Sequence, residues 1–191
     1  MTKIPKSTMS TPEIRNRQET GVIGGVEPAR IEIVDYSPLW LEAFNMHASM
    51  IARTLGDQAL RIEHIGSTSV PGLAAKTIVD ILLVVDDSAD EDAYLSRMEA
   101  AGYQLRVREP DFHEHRMFRT PVRDVHVHVF SRGCAEIERY LTFRDRLRHN
   151  ADDRALYEQT KRRLAAQTWP DMDAYAKAKT EVIEQIIKKA R

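Results

Sequence analysis

The chain has 191 residues, with 28 lysines and arginines against 29 aspartates and glutamates, for a net charge of −1. That balance argues against a dedicated nucleic-acid binder or a basic membrane-surface protein, and the length suits one compact core with a small appendage. A single cysteine, Cys134, excludes an intramolecular disulfide and a cysteine-built zinc site, so metal chemistry would fall to the seven histidines and to carboxylates.

Residues 1–30 hold scattered Pro and Gly without periodicity and read as a flexible tail. Residues 31–132 read as a mixed α/β core. Ile31 to Val34 alternates like a short strand. Ser37-Pro38 then supplies a cap and a first-turn proline for a helix running to Leu55, with Gly56 as its stop. Trp40, Phe44, His47 and Ile51 fall on its apolar face. Leu60 to Ile65 is an alternating strand, followed by a Gly- and Ser-rich turn from Gly66 to Leu73. Thr77 to Val85 is a strand apolar on both faces and so central. A helix over Ala89 to Ala101 and strands at Tyr103–Val107, Arg116–Arg119 and Val125–Phe130 complete the core. Residues 133–191 turn helical: Ala135 to His149, Asp153 to Gln167 and Asp171 to Ala190. The longest apolar run, Ile81 to Val85, is far short of a membrane span, so the expectation is a cytoplasmic protein with no membrane partner.

Four features carry chemistry. The turn Gly66-Ser67-Thr68-Ser69 can aim backbone N–H groups and hydroxyls at phosphate oxygens, although such turns also serve as plain connections. Asp80 interrupts the central strand among branched aliphatics, where a carboxylate must be paired, hydrogen-bonded, metal-bound or protonated. In Val125-His126-Val127-His128 the valines face the core, and the two imidazoles share the opposite face about 7 Å apart. They can hold a metal or line a solvated sheet. His64 ends another strand just before the turn, so His64, Asp80, His126 and His128 converge if these strands are neighbours. His113 and His115 read as solvent-facing loop residues. Arg144 and Arg148, at i and i+4, form one cationic helix edge suited to phosphate or to salt bridges. Lys76 has the same two readings.

The run from His64 to Ile81, HIGSTSVPGLAAKTIVDI, resembles the signature of the GrpB family. Trp40 with Phe44, the His126–Val129 strand, Phe143 to Arg148, and Tyr157, Lys161, Leu164 and Tyr175 to Lys179 extend the resemblance over about Ile31 to Ala190. Thr77 stands where the family usually has Pro. The resemblance implies a nucleotidyltransferase-like fold: a mixed sheet flanked by helices, then a C-terminal helical bundle. In that superfamily the Gly-Ser turn holds nucleotide phosphates, and strand carboxylates bind divalent metal. Gly66-Ser67 matches the turn and Asp80 the first acid. The second acid position holds Leu82, and the later strand offers His126 and His128 instead of an acid.

The expectation is therefore a transferase-like protein binding a nucleotide or another phosphorylated small molecule, with a single divalent metal (Mg, Mn or Zn). Asp80, His126 and His128 are its catalytic and metal-binding candidates. His64, Gly66, Ser67, Thr68, Ser69, Lys76, Arg144 and Arg148 are the phosphate- and substrate-binding candidates. The alternatives are a noncatalytic nucleotide-binding module on a degenerate scaffold, and a His/Asp metal-dependent hydrolase. The family's occurrence fused to dephospho-coenzyme A kinase fits a phosphorylated ligand.

Overall fold

The computed structural model describes residues 19–25 and 31–190. Six strands form one mixed sheet: β1 (Gly21–Val22), β2 (Arg61–Ile65), β3 (Val79–Val85), β4 (Gln104–Glu109), β5 (His115–Arg119) and β6 (Val125–Ser131). Their order is β1-β4-β5-β6-β3-β2. Only β3 and β6 run parallel, and the other neighbours are antiparallel. Most of the expected tail lies outside the described residues. Within it, however, Gly21 and Val22 pair with Arg108 and Val107 at the sheet edge. Arg106 fastens this segment by donating to the carbonyls of Ile23 and Gly25.

The period-two pattern of β3 and β6 decides which face is dry. Val79, Ile81, Leu83 and Val85 on β3, with Val125, Val127 and Val129 on β6, form the main core. Helix α1 (Leu39–Leu55) and the short α2 (Leu95–Ala100) cover that face. Helix α1 begins as expected, Ser37 Oγ accepting from Leu39 N at 3.3 Å. Trp40, His47, Ile51 and Leu55 are buried from it. His47 is the core histidine expected, with its Nδ1 2.7 Å from the Tyr103 hydroxyl.

The opposite face carries Asp80, Leu82 and Val84 with His126, His128 and Phe130. Part of it is closed by α3 (Ala135–His149), whose Ile137 and Leu141 pack on Leu82, Val84 and Phe130. Beyond α3 come α4 (Ala151–Ala165), α5 (Met172–Lys177) and α6 (Thr180–Ala190). Val182 and Ile186 of α6 join Val70, Leu73, Leu147 and Tyr157 in a separate cluster beneath the Gly-Ser turn.

Three elements differ from expectation. The strand at Ile31–Val34 shrinks to one bridge, Val34 with Ala75, because this segment crosses the loop before β3 and not a sheet edge. The Ala89–Ala101 helix is regular only from Leu95. Ahead of it the Tyr94 hydroxyl donates to Ser88 O at 2.5 Å, and Glu91 turns inward to Arg108 and Arg116, which holds the first turn off the helical path. The last helix breaks at Ala178–Lys179 into α5 and α6.

Candidate functional site

Parallel pairing of β3 with β6 puts Asp80 opposite His126 and Leu82 opposite His128. The three polar side chains converge. Asp80 Oδ1 lies 3.6 Å from His126 Nδ1 and 3.6 Å from His128 Nε2. One ligand atom from each falls within 4.8 Å of the others. Burial works against the charge on Asp80, yet the imidazoles beside it outweigh that and hold its carboxyl well below the ordinary range.

Gly66 makes this approach possible. Its φ of +68° favours glycine, and a Cβ there would sit 2.3 Å from Asp80 Oδ2. The turn therefore lies directly against the carboxylate.

Behind His128 stands a chain of hydrogen-bonding groups. His128 Nδ1 is 3.1 Å from His115 Nε2, and His115 Nδ1 is 2.7 Å from Glu109 Oε2. With Glu109 ionised, His115 Nδ1–H donates to it, and His115 Nε2 accepts from His128 Nδ1–H. In that tautomer His128 Nε2 would offer its lone pair to an ion held with Asp80, whereas without an ion the contact that lowers the Asp80 pKa needs a proton on Nε2. Burial pushes the His115 pKa down, and the hydrogen bond from His115 holds Glu109 below its ordinary value. His115 also stacks on Phe130 and His128, with centroids 4.8 and 5.3 Å away. The expectation that His115 faces solvent is thus corrected, because β5 begins one residue earlier than expected and carries His115 onto the face shared with His128. His113 is exposed as expected.

The remaining expected residues divide. Gly66, Ser67, Thr68 and Lys76 line a cleft of about 980 Å³ together with Asp80, His126 and His128. Ser67 meets the Tyr157 hydroxyl. His64, Ser69, Arg144 and Arg148 do not line it. His64 alternates to the other sheet face, opposite Ile81, and stacks on Phe44 at 4.7 Å. Its Nε2 lies 3.1 Å from Thr68 Oγ1, which donates to Ile78 O. The convergence expected of His64 does not occur; burial lowers its pKa to about 4, so it is neutral at pH 7. Ser69 Oγ donates back to Gly66 O at 2.6 Å.

Arg148 donates twice to Ser69 O, at 3.0 and 2.8 Å. Arg144 donates to His64 O at 3.1 Å and pairs with Glu63 at 2.8 Å and Asp145 at 2.7 Å. The cationic edge does reach the turn. It binds the turn's backbone from below, however, and is already occupied by carbonyls and carboxylates.

The cations that face the cleft are Lys76, Lys161 and Lys179, with the exposed Lys177 and with Arg139, which is already paired with Glu136 and Glu184. Lys161 and Lys179 were not among the expected site residues. Isolated lysines in helical sequence look like solvated surface, and no local signal marks the break that places Lys179.

A protein-family profile, GrpB protein, matches residues 30–189. The chain belongs to the GrpB family. A UPF0157 protein of Halalkalibacterium halodurans is 46% identical, the match covering 100% of this chain and 98% of that protein. The crystal structure of conserved protein GrpB from Enterococcus faecalis superposes with a TM-score of 0.74 at 35% identity, covering 83% of this chain and 96% of that one. A dephospho-CoA kinase of Mycolicibacterium paratuberculosis is 28% identical over 79% of this chain and 44% of its own length. The GrpB match contains the whole site: β2, the turn, β3, β6 and the lysine-bearing helices. Among the described residues no helix is long and apolar enough to cross a membrane.

Proposed function

We propose that this GrpB-family protein binds a nucleotide or another phosphorylated small molecule and catalyses metal-assisted nucleotidyl or phosphoryl transfer. The observation that carries the reading is the convergence of Asp80, His126 and His128 against the Gly66 turn, at the floor of a lysine-walled cleft. The donor geometry fits a metal. Ligands about 2.1 Å from a tetrahedral ion stand about 3.4 Å apart, close to the 3.6 Å from Asp80 Oδ1 to each imidazole. Two nitrogens and one oxygen suit zinc or manganese better than magnesium, which prefers oxygen ligands. Asp80, His126 Nδ1 and His128 Nε2 would hold the ion, and the ion would supply charge stabilisation at a phosphoryl oxygen.

The rest is work for the chain itself. His115 and Glu109 fix the tautomer and ring orientation of His128. The Ser69 and Val70 amides already donate to Gly66 O and Ser67 O, while in the part of the turn that lines the cleft, Gly66 to Thr68, Ser67 offers its hydroxyl to a phosphate. The lysines neutralise it, and the walls of Tyr140, Phe143 and Ile183 keep the organic part of the ligand from water. The dephospho-CoA kinase relative supports a phosphorylated ligand.

One observation favours a second reading, a noncatalytic binder. Leu82 is fully buried in apolar packing, so the neighbouring position on β3 adds no second carboxylate beside Asp80.

Calorimetric titration with Zn²⁺, Mn²⁺ and Mg²⁺, followed by phosphorus NMR of ATP or CTP incubated with the loaded protein, separates the two. Transfer reading: Zn²⁺ or Mn²⁺ binds, and turnover disappears in Asp80→Asn. Nucleotide binding that ignores both the metal and Asp80→Asn, with no turnover, would establish the binder.

A further inference from the structure

Three lysines from three separate elements meet in the cleft. Lys76 comes from the segment before β3, Lys161 from α4, and Lys179 from the break between α5 and α6. Lys76 and Lys179 approach the same ring, with Nζ atoms 5.7 and 4.6 Å from the Tyr175 centroid. Lys161 Nζ lies 4.9 Å from the Tyr157 centroid and donates to Ala74 O. Lys161 is only 2% exposed. Among the described residues no carboxylate forms an ion pair with any of the three. Glu158 faces Lys161, but it accepts from Ala74 N and pairs with Arg162. Asp80 faces Lys76 and Lys179 from among the metal-ligand candidates.

This arrangement is poor for the empty protein. Two ammonium groups share one aromatic ring, and a cation–π contact is worth only about 0.5–2 kcal/mol. A solvated lysine face would instead show carboxylate partners or full exposure.

We infer that Lys76, Lys161 and Lys179 form a subsite for two adjacent phosphoryl groups, so that the cleft takes a diphosphate-bearing small molecule in preference to a monophosphate. The inference rests on the phosphorylated-ligand half of the proposed function and is independent of its metal half. A phosphomonoester carries about −1.5 to −2 near neutral pH, which leaves one of three ammonium groups unmatched. A second phosphoryl group supplies roughly one further charge. The state of the lysines agrees: burial, with the charge of Lys179 adding to it, lowers the pKa of Lys161 to about 7 and that of Lys76 to about 8. A polyanion would restore their charge.

The test is calorimetry on the full chain in EDTA at pH 7, with inorganic pyrophosphate, orthophosphate and sulfate as probes. Pyrophosphate is expected to bind at least tenfold tighter than the other two. Lys179→Gln and Lys76→Gln should each weaken it about tenfold, while Arg132→Gln, at an exposed pair with Asp86, leaves it unchanged. Lys161→Met should do the same as the other lysine variants. If its loss of the Ala74 contact prevents folding, Lys179→Gln decides alone. Equal affinity for orthophosphate, wild-type affinity in the lysine variants, or no pyrophosphate binding would each overturn the inference. Failure of the metal half looks different: no heat with Zn²⁺ or Mn²⁺ in protein that still binds pyrophosphate in EDTA.

Discussion

The Gly66–Leu73 turn has two sides, and they differ in how their polar groups are satisfied. Below it, His64, Ser69, Arg144 and Arg148 all have partners inside the protein: hydroxyl to carbonyl, guanidinium to carbonyl, guanidinium to carboxylate. Above it, Asp80 lies between two imidazoles at 3.6 Å, Lys161 donates to Ala74 O, and Lys76 and Lys179 share the Tyr175 ring without a carboxylate of their own. The two sides carry similar residue types. What separates the two sides is the partner each group has already found: a buried group with a complete set of partners holds structure, and a cluster with fewer is open to a ligand.

The largest test of this division is on the scaffold side. Arg144→Met removes the cation that ties Glu63 and His64 O to α3, and leaves Glu63 with only Arg61. A loss of about 2–3 kcal/mol in denaturant unfolding is expected. Pyrophosphate affinity per folded molecule should stay the same. Weakened anion binding without lost stability would move Arg144 to the other side of the turn.

Asp80→Asn is the matching change above the turn. It keeps the shape and removes the carboxylate charge, so Zn²⁺ affinity should fall by about 100-fold, roughly 2.7 kcal/mol, with a lower melting temperature as well, because the imidazoles lose the carboxylate they stabilise. Pyrophosphate binding in EDTA should hold or tighten, because Asp80 opposes anions near Lys76 and Lys179. A large drop in melting temperature with unchanged zinc affinity would make Asp80 a structural residue.

These two sets were not equally legible in the sequence. Asp80, His126 and His128 stood out because a strand alternates with a period of two, so a polar residue in an aliphatic strand identifies its own face. The turn was legible from its composition, and the closeness of Gly66 to Asp80 explains its first residue. Arg144 and Arg148 were legible only as a charged edge. Spacing along one helix cannot show that their partners sit about eighty residues away, at Glu63, His64 and Ser69. Lys161 and Lys179 were silent for a related reason, since their meaning comes from three elements meeting in space. His115 was lost to a strand boundary misplaced by one residue.

His115→Gln asks whether the row behind His128 belongs to the site or to the core. The variant removes the fixed imidazole between Glu109 and His128 and keeps a hydrogen-bonding side chain. If His115 positions His128, Zn²⁺ affinity falls about tenfold, the lower end for such supporting residues, and His115→Asn does not restore it. A purely structural role would lower the melting temperature and leave the zinc affinity of the folded protein unchanged.

The smallest effect separates the two sides by pH. His64 below the turn, and Lys76 and Lys161 above it, are all bases whose folded pKa is lowered, to about 4, 8 and 7. In each case the unfolded chain takes up the proton first, so stability rises with pH between the folded and unfolded values. For His64 that window lies between about 4 and 6.5: stability is complete above it and is lost as pH falls through it. No anion should alter this, because His64 is sealed against Phe44 and Thr68. For the lysines the window opens at about pH 7 to 8 and extends towards 10.5, so the ligand-free protein should grow more stable, and melt higher, between pH 7 and 9.5. Saturating pyrophosphate should flatten that rise by drawing the lysine pKa values back up towards 10.5, and its affinity should weaken over the same interval. If the alkaline rise persists unchanged under pyrophosphate, the lysines titrate without contacting the anion, and the cleft side of the turn is then as closed to ligands as the scaffold side.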